Sequence, residues 1–269
     1  MDAAGNLYGT AAVAFELSPG FGDWTETVLH QFGVKRGDGA GPYAGLLLDA
    51  AGNLYGTTEG GGNQCGSSGC GTVYELTRDQ RGEWMEIVLH RFDNNGTDGV
   101  GPGSGALFMD GSGSLYGTTT GGGVNACGGF AEYLNGRLAE HAPSADIGNC
   151  GTIFKLTKGG KGRWKEAILY NFKSGSSGHL PFAGVVMDKS GNLYGTTDGG
   201  GNSSGCGVIY KLAPQPKGKW KYTVLYTFSG GSDGCIPAGN LVFDKKGNLY
   251  GGTVLGGTTG NGVIFELTP

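Results

Sequence analysis

The sequence predicts an all-β fold, a β-propeller of five blades, and three observations carry that expectation. The first is a phrase that returns five times: Asn6-Leu7-Tyr8-Gly9-Thr10, Asn53-Leu54-Tyr55-Gly56-Thr57, Ser114-Leu115-Tyr116-Gly117-Thr118, Asn192-Leu193-Tyr194-Gly195-Thr196 and Asn248-Leu249-Tyr250-Gly251-Gly252. The intervals are 47, 61, 78 and 56 residues, a period suited to propellers and solenoids. The second is glycine, 59 of 269 residues. It lacks Gly-X-Y order and clusters between β-rich stretches, so it marks tight turns rather than collagen. The third is composition: 38% hydrophobic and 10% aromatic residues are too many for a disordered glycine-rich chain.

The second repeat shows the unit most fully. Gly45-Leu46-Leu47-Leu48 is a short apolar run suited to a buried strand a. Asp49-Ala-Ala-Gly52-Asn53 is a turn, because Asp accepts from backbone amides and Gly tolerates positive φ. Leu54–Thr58 is strand b, and a Gly-rich loop follows from Glu59 to Gly71. Thr72–Leu76 is strand c. After a turn at Arg81-Gly82, strand d runs from Trp84 to Phe92, with Trp84, Val88, His90 and Phe92 expected on one face. In a propeller the a–b and c–d turns fall on one face of the disk, and the b–c and d–a loops on the other.

The repeats fall at approximately 1–43, 44–104, 105–182, 183–238 and 239–269, within one domain. The first lacks strand a and the last lacks strand d, leaving eighteen strands where five full blades need twenty. Five blades, two of them three-stranded, is the preferred arrangement. Four blades closed by Trp24–Phe32 is the alternative, and a parallel β-helix with shorter coils is the more distant one. The chain opens inside a repeat, as a mature fragment, a truncated chain or an incomplete reading frame would.

The order Ala44-Gly45-Leu-Leu-Leu-Asp49-Ala-Ala-Gly52-Asn53-Leu-Tyr-Gly-Thr-Thr58-Glu-Gly-Gly-Gly62, then Cys70-Gly-Thr-Val-Tyr-Glu-Leu-Thr77, resembles the GloVer-type tandem-repeat family of bacterial exported proteins. The resemblance covers almost the whole chain. It implies an exported propeller and brings no established activity or catalytic residues. The first repeat departs from it by lacking the Gly-rich b–c loop, and the third by about 20 extra residues between Cys127 and Cys150.

Six cysteines occupy related places, and the repeat alignment pairs them as Cys65–Cys70, Cys127–Cys150 and Cys206–Cys235. Zinc is the competing reading, but Cys-x4-Cys without nearby His is a poor ligand set. Disulfides imply an extracellular or periplasmic protein. No signal peptide is visible, and no apolar run spans a membrane. The formal charge is −4 with scattered basic residues, which argues against a nucleic-acid partner. No phosphate loop or Gly-x-Ser-x-Gly elbow is present. The segment Asp93–Gly99 lacks the distal Glu of a calcium loop. No metal or cofactor is expected.

Function is expected where the repeats differ. The turn aspartates Asp2, Asp49, Asp110, Asp188 and Asp244 and the tryptophans Trp24, Trp84, Trp164 and Trp220 read as scaffold. The b–c loops place Glu59, Thr120 and Asp198 at one aligned position, and the d–a loops carry Asp38, Asp98 and Asp233. Glu59, Asp198, Asp38, Asp98 and Asp233 are therefore catalytic candidates, since paired carboxylates are what glycoside hydrolysis needs. His179, Tyr43, Glu140, His141 and Asp146 are candidates for substrate binding, the last three with Tyr133 and Arg137 on the long insert. The expected partner is a carbohydrate or another small polar ligand. The leading reading is a carbohydrate-active propeller, with a glycoside hydrolase as its sharper form. A noncatalytic glycan- or protein-binding propeller and a structural module of a larger surface protein are the alternatives.

Overall fold

The computed structural model describes residues 1–62, 65, 68–125, 127 and 150–269, and these form five antiparallel sheets arranged as propeller blades, with a further two-stranded pairing of Gly39–Ala40 and Gly60–Gly61. Blade 1 holds Leu7–Thr10, Val13–Pro19 and Trp24–Gln31 as strands b, c and d. Blade 2 has all four strands, Leu47–Leu48, Leu54–Thr58, Thr72–Arg78 and Trp84–Arg91. In blade 3, Phe108–Met109 and Gly99–Pro102 both pair with Leu115–Gly122, followed by Thr152–Lys158 and Trp164–Asn171. Blade 4 runs Val186–Met187, Leu193–Thr197, Val208–Gln215 and Lys219–Thr227. Blade 5 ends after strands a, b and c, Cys235–Phe243, Leu249–Leu255 and Ile264–Leu267. The expected five blades with shortened first and last members are what the chain forms.

The recurring phrase has a specific mechanical cause. Asp49 Oδ1 accepts from the amides of Ala51 at 2.9 Å and Asn53 at 2.8 Å. Its Oδ2 accepts from Asn53 Nδ2 at 3.0 Å and from the Tyr55 hydroxyl at 3.2 Å. Asp2 and Asp188 repeat all four bonds with Asn6 and Tyr8, and with Asn192 and Tyr194. The Asp, the Asn and the Tyr are thus one turn-closing unit. Burial pushes the Asp49 carboxyl up, but hydrogen bonds from Asn53, Ala51 and Tyr55 outweigh it and hold it below the usual range.

The glycine of the phrase answers a different need. A Cβ on Gly56 would lie 2.4 Å from the Tyr74 hydroxyl, and one on Gly117 would lie 2.6 Å from the Phe154 ring. The strand-c aromatic of each blade lies across the strand-b glycine, and no larger residue leaves room for it.

Four buried clusters lie between successive blades, one at each junction from blade 1 to blade 5. At each junction the phenylalanine ending strand d packs on the strand-c aromatic of the next blade. Ring centroids are 4.8 Å apart for Phe32–Tyr74, 5.2 Å for Phe92–Phe154, and 5.3 Å for both Phe172–Tyr210 and Phe228–Phe265. Full burial of such a ring contributes about 1.5–3 kcal/mol. The outer flanks of the first and last blades are different. Ile264 is 84% exposed where its counterpart Ile153 is wholly buried, and Leu7 is 40% exposed where Leu54 is wholly buried.

One expectation fails in strand d. Val73 faces His90 but Tyr74 faces Val88, so Leu89 is an extra residue in a β-bulge. The bulge breaks the period of two. Trp84 therefore packs towards blade 1, while Leu89 and Phe92 pack towards blade 3. The same register shift occurs in strand d of blades 1, 3 and 4.

The cysteines pair as the alignment predicts: Cys65–Cys70, Cys127–Cys150 and Cys206–Cys235, with Cα separations of 5.3, 5.1 and 4.5 Å. The third joins the b–c loop of blade 4 to the first strand of blade 5. Among the described residues, no helix is long and apolar enough to cross a membrane.

Candidate functional site

The b–c and d–a loops of blades 2 to 5 surround a central cavity of about 780 Å³. The third residue after the strand-b glycine lines it in each of blades 2 to 5: Glu59, Thr120, Asp198 and Val254. Backbone bonds fix two of these places, from the Glu59 amide to the Gly41 carbonyl at 3.0 Å and from the Asp198 amide to the Leu180 carbonyl at 2.9 Å. The aligned acceptors Gly41 and Leu180 both hold positive φ, 68° and 58°. Glycine takes that conformation freely, whereas leucine bears a steric cost there.

The cavity brings together three of the sequence-selected residues, Glu59, Asp198 and Tyr43. Phe182 and Asn240 also line it and were not selected. Asp198 is half-buried as a residue, yet its Oδ1 is sealed from solvent and has no hydrogen-bond partner. Burial pushes its carboxyl well above the ordinary carboxylate range, the direction that favours the protonated form. Glu59 is half-buried at the equivalent place on blade 2. A carboxyl whose pKa is raised by burial and a second, half-buried carboxyl on one cavity wall have the inventory of a general acid and its partner base or nucleophile.

The remaining candidates lie elsewhere. His179 bridges Gly199 through the backbone at 3.0 Å, with its ring against Gly199 and Gly200, and does not line the cavity. Burial lowers its pKa. Asp233 is bonded to Tyr226 at 3.0 Å and to the Ser229 amide at 2.8 Å, in a surface turn. Asp38 and Asp98 are buried between blades, each 3.4 Å from a histidine Nε2, of His30 and His90 respectively. Glu140, His141 and Asp146, with Tyr133 and Arg137, lie outside the described residues.

The inter-blade positions gather residues that the repeats display but that were not selected. His30 and His90 end strand d of one blade, and Glu86 and Glu166 lie on strand d of the next. A repeat-aligned reading of Trp-x-Glu followed by His in strand d is the signal that would have found them. Burial, with Asp38 beside it, pushes the Glu86 carboxyl up to about 8; burial and Asp98 do the same to Glu166.

Among solved structures, the chain resembles an endo-arabinase from Bacteroides thetaiotaomicron at 10% identity and TM-score 0.43, over 96% of this chain and 86% of that one. It also resembles PorZ, a surface component of the type-IX secretion system of Porphyromonas gingivalis, at 13% identity and TM-score 0.43. That match covers 91% of this chain and 29% of PorZ. A third is an inulosucrase from Halalkalicoccus jeotgali bound to kestose, at 16% identity and TM-score 0.44, over 90% of this chain and 66% of that one. Likenesses this distant assign neither substrate nor chemistry to this chain. No curated protein sequence matches it significantly. Residues 130–269, more than half of the chain, match the Gloeobacter/Verrucomicrobia repeat, and the protein belongs to that repeat family.

Proposed function

We propose that the protein is a carbohydrate-active propeller whose ligand, a glycan or another small polar molecule, binds in the central cavity, and that the cavity hydrolyses a glycosidic bond. The observation that carries this reading is the sealed, unpartnered Oδ1 of Asp198 at the cavity wall, on the same ring of positions as Glu59. The volume of about 780 Å³ suits a ligand site, and exposed Tyr43 offers a face for stacking a sugar ring. In the proposed reaction Asp198 gives its proton to the glycosidic oxygen as the C–O bond breaks. Glu59 attacks the anomeric carbon or activates the water that does so. Three disulfides support an extracellular or periplasmic location.

The test is a screen of chromogenic glycosides and glycan arrays with the purified protein. Asp198→Asn and Glu59→Gln are expected to lower turnover by about 10²–10⁴-fold with an unchanged melting temperature. Full turnover in both variants would remove the catalytic assignment. Saturable glycan binding without turnover, weakened in Glu59→Gln, would instead identify a binding propeller. That second reading has its own support: the other two places on the ring are Thr120 and Val254, which do no proton chemistry at neutral pH.

A further inference from the structure

Two groups of side chains recur at successive blade junctions, outside the central cavity. At the first junction His30 Nε2 lies 3.4 Å from Asp38 Oδ1 and 3.8 Å from Glu86 Oε2. At the second, His90 Nε2 lies 3.4 Å from Asp98 Oδ2 and 3.6 Å from Glu166 Oε1. In each group one nitrogen and two carboxylate oxygens lie within 4.8 Å of one another.

These groups are held too deep for ordinary surface ion pairs. Side-chain exposure is 2% for Asp38, 9% for Glu86 and 9% for Asp98. Yet the atoms are incompletely satisfied: at the second centre His90 Nε2 and Glu166 Oε1 are sealed from solvent without a hydrogen-bond partner, and at the first the other oxygen of Glu86, Oε1, is sealed likewise. Buried polar atoms without partners are costly and call for an explanation such as an ion. The arrangement also occurs twice, each time with the histidine and aspartate from one blade and the glutamate from the next.

From this geometry we propose that each group binds a divalent transition-metal ion of the zinc class, clamping blade 1 to blade 2 and blade 2 to blade 3. A tetrahedral zinc centre has arms of about 2.0–2.2 Å, so its ligand atoms stand about 3.3–3.6 Å apart. Three of the four histidine–carboxylate edges, 3.4, 3.4 and 3.6 Å, have that size, and the His30–Glu86 edge is slightly longer at 3.8 Å. An imidazole with two carboxylates suits zinc-class ions, whereas calcium takes six to eight oxygens. Three protein ligands leave the fourth position to a bound water.

The third junction marks where the sites stop. There Tyr170, Ser177 and Tyr222 replace the histidine, the aspartate and the glutamate, and the two tyrosine rings stack at 4.2 Å. The proposal therefore specifies two ions per chain.

The test uses the whole chain after chelator treatment, titrated with Zn²⁺ alone by calorimetry and by metal analysis after dialysis. Two equivalents are expected, with a rise in melting temperature. Glu86→Gln should reduce the count to one and Glu86→Gln/Glu166→Gln to none, since the amide keeps the shape but is a poor ligand. His30→Gln and His90→Gln should each remove one equivalent as well, which preserves the test if a glutamine variant misfolds. Absorption at the zinc edge should show nitrogen and oxygen neighbours and no sulfur. Failure of the wild type to bind zinc would overturn the proposal, as would undiminished zinc in the double variant. None of the six residues lines the central cavity, so either outcome leaves the glycan reading standing.

Discussion

The junction between blades 2 and 3 and the junction between blades 3 and 4 fill one place in two ways. Both use the same phenylalanine-on-aromatic contact, Phe92 on Phe154 and Phe172 on Tyr210. Beside it, the first junction gathers His90, Asp98 and Glu166. The second stacks Tyr170 on Tyr222 at 4.2 Å and 4°, and Tyr222 donates its hydroxyl proton to the Ser177 carbonyl. The bulged strand d of blades 1 to 4 presents a side chain to that place, so the backbone sets where blades are joined and the residue sets how. Polar atoms there demand partners, whereas stacked rings satisfy themselves.

The largest expected effect tests what the junctions share. Phe92→Ala and Phe172→Ala each remove a wholly buried ring and should cost about 3–5 kcal/mol in denaturant unfolding. Similar losses are expected; a tenfold smaller loss at either would show that the phenylalanine is not the common fastener. A smaller effect separates the two. Tyr222→Leu keeps apolar bulk but ends the stack, at a cost of about 0.5–1.5 kcal/mol, and should leave zinc stoichiometry at two. Loss of an ion in that variant would mean that the junctions are not independent.

An effect of comparable size per site belongs to the turns, which the blades hold in common. Hydrogen bonds keep the carboxyls of Asp49, Asp110 and Asp188 below their ordinary value of 3.8 in the folded chain. A carboxyl depressed by folding stabilises fully above its unfolded pKa, and that contribution disappears as pH falls through the folded one. Melting temperature should therefore drop as pH is lowered from about 4 towards 2. Asp49→Ala, removing four hydrogen bonds, should flatten part of that fall and cost about 1.5 kcal/mol at neutral pH. An unchanged acid profile would transfer the sensitivity elsewhere.

The scaffold was legible in the sequence because its causes are local. Asp49, Asn53 and Tyr55 lie within seven residues, and their turn forms as their chemistry dictates. The cysteine pairs followed from alignment of one blade with the next. The phase of strand d did not, because nothing in Trp84–Phe92 announces that Leu89 will be the extra residue in a bulge. For the site, Glu59 and Asp198 share a cavity because equivalent loops converge on the axis. Asp38 and Asp98 were grouped with them by loop type, yet they point between blades. Their histidine partners are eight residues away, but Glu166 reaches His90 only once two blades have packed.

The ring laid across each strand-b glycine has a consequence for how this chain can change. At Gly117 there is no room even for a methyl group, since its Cβ would fall 2.6 Å from Phe154. Enlarging the one requires shrinking the other, on a different strand 37 residues away. The two positions therefore behave as a single heritable character, and substitutions that arrive one at a time meet a barrier in either order. A phrase repeated five times is, on this view, the visible half of five two-part agreements, and the other half is the aromatic residue of the following strand.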